Sequence, residues 1–363
     1  MRNLISNIGL FVTSIFSIFI LISHIAPHIS PNTFVIPQFF GIIYPYLVAT
    51  NILIAIFWLL RKKLVFLIPL ISLLSGYNHI ANMVGVAYFE TETLENTKQL
   101  KVVSYNVRLF DLYNWSKNKE TRNKILTYLD EINADIVCFQ EYYDDLTNEF
   151  ETTSEILKSA KMKYHKIAPS YVAKDLYRFG IATFSRFPIV NSGEISFKNS
   201  QNNCLWTDLL IEKDTVRVYN IHLQSNHFEI DDYEFIRKIN TSPTSIEFKQ
   251  LHGFFTRLSI AYRKRADQAE KIAEHMAQTT YAKLVCADLN DTHLSYAYQQ
   301  IRGNFKDSFR ESGFGLGHSF GSLLTSVRID YIFYDKNFIS TSFQTGKPDL
   351  SDHKPIIGVI EKK

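Results

Sequence analysis

LSDHKPIIGVI, residues 350–360, sets an acid and an imidazole, Asp352 and His353, between a turn and the apolar run that closes the chain. A solvated strand edge beside a surface histidine gives the same letters, so the pair acquires meaning only from the rest of the sequence. Upstream of it, short β-type runs follow one another from about Leu100: KVVSYNVRLF, DIVCFQE, GIATFSRFPIV, CLWTDLLIEK, TVRVYNIHLQS, KLVCADLND and VRIDYIFYD, with PIIGVIEKK last. A helical stretch separates the first two. Runs of this kind with interspersed helices predict an α/β (α+β) architecture in which two sheets pack face to face and helices lie outside.

The polar residues of these runs fall at their ends: Asn106, Glu141, His222, Asp288 with Asn290, Asp330, and Asp352 with His353. Any one of them reads as a solvated loop residue, because an unpaired carboxylate is costly to bury. Gathered on one rim of a sandwich, they make a cluster of four carboxylates, two carboxamides and two imidazoles. Such hard oxygen donors suit Mg²⁺ or Mn²⁺ better than zinc. Phosphoester hydrolysis needs charge neutralised on the phosphoryl oxygens, a water held in line and help for the leaving oxygen, and this inventory covers all three.

Composition divides the chain in two. The first 90 residues hold four of its 39 Lys and Arg, and one of its 36 Asp and Glu, so 35 charges of each sign remain in the rest. The balanced remainder lacks the basic excess typical of phosphate-backbone binding. Residues 1–90 instead read as a transmembrane region with spans at about 4–25, 41–60 and 64–86, followed by a linker at 91–99 and a catalytic domain at 100–363. Arg2 and the Arg61–Lys63 cluster mark the cytoplasmic side, which puts the C-terminal domain outside the cytoplasm. Two spans with a buried helix would leave it inside. Cys138, Cys204 and Cys286 have no metal or disulfide spacing and read as buried thiols.

Taken in order, SYNVR (104–108), DIVCFQE (135–141), NIHLQS (220–225), CADLND (286–291), RIDYIF (328–333) and SDHKP (351–355) resemble the endonuclease/exonuclease/phosphatase superfamily, with its deoxyribonuclease-I-like fold. The resemblance implies a four-layered sandwich of two β-sheets flanked by helices. It implies Glu141 as main metal ligand, Asn106 beside it and Asp352 as a second acidic group near the metal. Asp288 and Asn290 would orient the attacking water and the phosphate, and His222 would bond a phosphoryl or leaving oxygen. His353 would act as base or as cationic stabiliser. Strand alternation turns Asp352 away from its neighbour, so Asp330 is the expected partner of His353. The inositol-phosphate branch is disfavoured, because its W-x-G-D-x-N-x-R stretch is replaced here by KLVCADLND.

The function expected is that of a membrane-anchored, divalent-metal-dependent phosphodiesterase or phosphatase, with a phospholipid headgroup as one substrate class. An extracytoplasmic nuclease and a non-catalytic membrane module are the alternatives, and no protein partner is inferable. Residues 226–260 read as a long aromatic-rich connection in which Phe254, Phe255 and Arg257 meet lipid, a base or the domain itself. Arg265 and Gln268 resemble a family helix element supporting the site from behind. The glycine run Gly313–Gly317 reads as a flexible loop ahead of His318, since it lacks a nucleotide-binding context.

Overall fold

The computed structural model describes residues 2–87, 99–147, 150, 152–198, 200–226, 248–321, 326–347 and 349–363. The expected linker therefore lies outside the described residues apart from its last position. Five helices build the N-terminal part: α1 (Arg2–Ile25), α2 (Ile36–Ile42), α3 (Tyr44–Leu60), α4 (Leu67–Ser75) and α5 (Tyr77–Met83). One helical stretch, Asn7–His28, is by itself long and apolar enough to cross a membrane. The second expected span, 41–60, is a continuous helix from Tyr44 onward and bends by 75° only where 36–42 joins its head, whereas the third is broken, 64–75 meeting 77–83 at 65°. Pro45 at the head of α3 and Gly76 at the foot of α4 stand at these breaks, where neither residue favours a continuous helix.

The C-terminal part is a pair of six-stranded sheets. Its main strands are β1 (Gln99–Asn106), β2 (Ile136–Asp145), β3 (Tyr164–Ala173), β4 (Tyr177–Ser185), β5 (Ile189–Ser196), β6 (Asn203–Ile211), β7 (Asp214–His222), β8 (Ala282–Asp288), β9 (Lys306–Asp307), β10 (Asp330–Tyr334), β11 (Phe338–Thr345) and β12 (Ile356–Lys362). One sheet runs β11-β12-β1-β2-β4-β3 and the other β9-β10-β8-β7-β6-β5. Each contains a single parallel pair, β1 with β2 and β7 with β8. A helix makes each crossover: α6 (Thr121–Ile132) in the first case and, past the short α7 (Thr152–Ser159), α8 (Phe248–Ala277) in the second.

The strands are buried on both faces, which is why they read as nearly continuous apolar runs. Val102, Ile136 and Cys138 join Val218, Leu284, Cys286 and Ile360 between the sheets. Val103, Val137 and Phe139 point the other way, onto Ile125 and Leu129 of α6. The opposite sheet presents Tyr219, Ile221 and Val285 to Ala269 and Ile272 of α8. The order helix, sheet, sheet, helix follows from these alternations. All three cysteines are buried and free.

The sequence reading placed 226–260 in a connecting segment, but α8 begins at Phe248. Leu258, Ala261, Tyr262, Arg265, Ala266 and Ala269 recur at helical spacing and are all buried, so the amphipathic pattern continues upstream of Ala261. Phe255 consequently sits on a helix, edge-to-face with Phe39 at 5.0 Å. Residues 227–247 lie outside the described residues.

The two parts are docked. The short α2 and α5 present their backbones to the C-terminal part: Tyr262 donates to Gln38 O at 3.3 Å, and Arg328 Nη2 donates to Asn82 O at 3.0 Å. Arg310 donates to Asn82 Oδ1 at 2.8 Å, and Tyr296 N to Gln38 Oε1 at 3.2 Å. Leu294 is buried in a cluster with Ile20, Tyr44, Leu47, Val48 and Leu73.

Candidate active site

The site lies where both parallel pairs end, the edge at which α/β sheets generally bind ligands. Asn106 ends β1, His222 ends β7 and Asp288 ends β8. In the second sheet His222, Asp288 and Asp330 stand in one register row across three adjacent strands. Glu141 reaches the same place by a different device. A register break between Phe139 and Tyr142, with φ of 48° at Glu141, turns this side chain to the rim in the middle of β2.

Asn106 ties the sheets together. Its Nδ2 donates to Glu141 Oε1 at 3.1 Å and to Asp288 Oδ2 at 2.9 Å, while its Oδ1 accepts from Arg108 N at 3.1 Å. His222 Nε2 lies 3.7 Å from Asp288 Oδ2 and 4.0 Å from Glu141 Oε1. Asn290 lies beyond the strand that carries Asp288. β8 stops at Asp288 and Asn290 is left-handed, with φ of 51°. Its Nδ2 donates to Leu223 O and its backbone N to Asp288 Oδ1.

The 350–360 stretch divides the two side chains as expected, but in a bend ahead of β12 rather than within a strand. His353 Nδ1 is 2.9 Å from Asp330 Oδ2, and its Nε2 is 3.8 Å from Asp288 Oδ2. Asp352 turns to the rim, 3.5 Å from Arg108 Nε. Asp288, Asp330 and His353 therefore converge, with Glu141, Asn106 and His222 at one side and Asp352 at the mouth.

Burial dominates the electrostatics. It raises the Asp288 carboxyl above its ordinary range, with Asp330 adding to the effect and His353, His222 and the Asn106 amide opposing it. Burial also works against charge on His353, but Asp330 and Asp288 outweigh it and lift the imidazole to about 10. Asp330 Oδ1 and His222 Nε2 are buried with no hydrogen-bond partner among the described residues. Neighbouring buried carboxylates together with open donor and acceptor atoms fit a divalent cation and a phosphoryl group better than a closed structural network. Asp288, Asp330 and His353 place potential ligand atoms within reach of one ion, but His353 in its protonated form offers none, which leaves the carboxylates as the donors there.

Several supporting residues were not singled out from sequence. Gln140 Nε2 donates to Asn220 Oδ1 at 2.8 Å, and Asn220 donates across the interface to Phe139 O and Ala182 O. These two amides cross-link the sheets directly behind the site. Asn220 stands two residues before His222 on the same face of β7, so the N-x-H spacing was a usable signal. Ser319 Oγ accepts from the backbone N of Ile329 and of Asp330, and Ser351 Oγ donates to Asn106 O. Arg265 and Gln268, which the sequence did single out, act beside them: Arg265 is buried and donates to Asp291 at 3.0 Å and to Gln224 O, while Gln268 accepts from Gln224 N. Both therefore brace the loops on either side of the site.

A sandwich with paired carboxylates and imidazoles at one rim defines a class of phosphoester-cleaving enzymes, and the comparisons agree. The Endonuclease/Exonuclease/phosphatase family model matches residues 103–353, and the chain belongs to that family. Family enzymes are typically divalent-metal-dependent hydrolases of phosphoesters. A domain family of unknown function, DUF8431, matches residues 3–83. No curated protein matches. Among solved structures, a family protein from Bacteroides thetaiotaomicron is similar at 16% identity and TM-score 0.53, over 74% of this chain and 99% of that one. One from Bacteroides vulgatus gives 15% and 0.52, over 73% and 100%. A mannosyl-6-phosphatase from Bacteroides thetaiotaomicron gives 16% and 0.50, over 72% and 99%. At these identities the likeness is one of fold.

Proposed function

We propose that the chain is a membrane-anchored, metal-dependent phosphoesterase, a phosphodiesterase or phosphatase that acts at the bilayer on the extracytoplasmic side. The observation that carries this reading is the convergence of Asp288, Asp330 and His353 in a buried cluster opposite Glu141, with His222 Nε2 and Asp330 Oδ1 left open. Mg²⁺ or Mn²⁺ held by Glu141, with Asn106 beside it and Asp352 at the mouth, would neutralise charge on the phosphoryl oxygens. His353, kept protonated by Asp330, donates from Nε2 to an oxygen of the pentacovalent phosphorus, so of its two expected roles the cationic one is favoured. Asp288, whose proton affinity is raised by burial, orients the water and receives its proton, and Asn290 fixes the loop beside it. His222 Nε2 is free to meet the leaving oxygen.

Three spans, formed if each bent helix pair crosses as one, support the outer placement of the domain. The charge balance of the catalytic domain supports a non-nucleic-acid substrate. The test is full-length protein in lipid, assayed with Mg²⁺ and with chelator against phospholipids, an aryl phosphodiester, a phosphomonoester and plasmid DNA. Glu141→Ala and His353→Ala are expected to lose about 10²-fold or more in kcat. Wild-type rates in both variants would defeat the reading. A periplasm-dependent reporter fused at Lys363 tests the topology, and an expressed but silent fusion would overturn it.

A further inference from the structure

The glycine run that the proposed function leaves unused delivers the chain to the back of the site. Gly317 has φ of 59°, and a Cβ there would stand 2.4 Å from the Phe309 ring, so only glycine makes this turn. Beyond His318 the chain passes between two segments of the site. On one side Phe320–Gly321 pairs antiparallel with Ser326–Val327, just ahead of Asp330. On the other, Phe320 bridges to His353, and Gly321 N donates to Asp352 O at 3.3 Å.

Ser319 is where these attachments meet, and it is fully buried. Its backbone N donates to Val327 O at 3.1 Å, and its carbonyl oxygen accepts from Lys354 N at 2.6 Å. Its hydroxyl oxygen accepts from Ile329 N and from Asp330 N, both at 3.1 Å. Ile329 O in turn accepts from Leu289 N at 3.0 Å, one residue past Asp288. Other residue types would keep the main-chain bonds, but only a hydroxyl of this length supplies the two to the Asp330 segment. A buried backbone N–H that loses an acceptor shifts to find another.

We propose that Ser319 is a positioning residue of the site. With its hydroxyl on the backbone of Asp330 and its carbonyl on the residue after His353, it sets the separation at which Asp330 Oδ2 and His353 Nδ1 meet, 2.9 Å. Ser319 reaches neither of those side chains and acts through the backbone beneath them. Its effect on turnover rests on the phosphoesterase reading, whereas its effect on the Asp330–His353 hydrogen bond does not.

That hydrogen bond has a signal of its own. An imidazole N–H held by a carboxylate resonates far downfield, and burial of both groups slows its exchange with water. In full-length protein carrying isotope-labelled histidine, at one fixed pH, the low-field proton that is missing from His353→Asn belongs to His353 Nδ1. Ser319→Ala is expected to move it upfield or broaden it away. Leu100→Ala, a core cavity at the end of β1 remote from Asn106, is expected to leave it in place. A signal unchanged in Ser319→Ala, or lost equally in Leu100→Ala, overturns the positioning role. Should Ser319→Ala fail to fold, Ser319→Cys, similar in size but a weaker acceptor, is expected to shift the signal in the same direction, and an unchanged signal there overturns the role as well. With a soluble aryl phosphoester and Mg²⁺, Ser319→Ala should lose about tenfold in kcat at nearly constant KM, and Leu100→Ala should lose none. Equal losses in the two variants, or none in Ser319→Ala, overturn its part in turnover. A wild type that hydrolyses no phosphoester refutes the phosphoesterase reading instead, and the proton signal still decides the positioning role.

Discussion

His293 gives a prediction whose size follows from the structure. It lies three residues past Asn290, buried, with Nε2 3.1 Å from the carbonyl oxygen of His79 in α5. A carbonyl only accepts, so Nε2 carries the proton and Nδ1 is bare in the neutral ring. The ring also faces Tyr44 of α3 and Tyr298. Burial, helped by Arg328 and His79 and only partly opposed by the carbonyl bond, pushes the imidazole down to about 3. The unfolded chain takes up this proton near pH 6.5 and the folded one does not until about pH 3. Stability from this group is therefore complete above pH 6.5 and is lost as the pH falls from there towards 3. Between pH 7.5 and 5.5 the loss is about 1.4 kcal/mol, or roughly 2 °C in Tm. His293→Gln keeps an N–H donor but does not titrate. Thermal unfolding of the detergent-solubilised full chain at the two pH values should show the wild type dropping by that much more than the variant. Equal drops would refute the account of a histidine held neutral at the junction.

Three further outcomes are expected. Asp330→Asn removes the charge that holds His353 protonated and should lower kcat about 10²-fold or more with little change in KM; unchanged kcat in a phosphoester assay would remove the dyad. Leu294→Ala opens a cavity at the junction and should cost about 2–5 kcal/mol, read by denaturant titration, against a small effect from Leu176→Ala at an exposed site. Asn220→Leu strips donors from Phe139 O and Ala182 O and an acceptor from Gln140, and about 2–4 kcal/mol of destabilisation should appear in the same titration.

Much of the catalytic domain was legible because its strands are buried on both faces and end in polar residues. The six motifs located the rim, whereas Asp352 and His353 part company in a bend ahead of β12, outside any strand. Alternation failed where the backbone leaves regular geometry. Glu141 is aimed by a bulge and Asn290 by a left-handed turn, and a strand pattern encodes neither. The start of α8 was missed because Phe254 and Phe255 drew attention as loop aromatics, although Leu258, Tyr262 and Ala266 already kept helical spacing. The N-terminal helices were legible as apolar lengths but not as bent pairs, because hydropathy carries no information on direction. The docking of α2 and α5 uses backbone carbonyls of Gln38, Gly41, His79 and Asn82, acceptors that every residue type supplies, beside the side-chain oxygens of Gln38 and Asn82.

That docking alters what the N-terminal helices do for the enzyme. A tether would need only a flexible linker, with its contacts far from the chemistry. Here the segment leaving Asp288 and Asn290, at the rim where the candidate site lies, is gripped from both sides. Asp291 is held by Arg265 of α8, while Thr292, His293 and Leu294 reach Gly41, His79 and the core of the helical module. Arg328, two residues before Asp330, is buried between Asp307 at 2.7 Å and the carbonyl of Asn82. Removing the module would leave that cation short of an acceptor and open Leu294 to water, at positions next to the two aspartates that face each other across β8 and β10. Unmet hydrogen bonds and exposed apolar area of this kind act on loop position before they act on the sheets behind, which have their own core. The chain is therefore better regarded as one catalytic unit that includes its helices than as a soluble hydrolase on a leash.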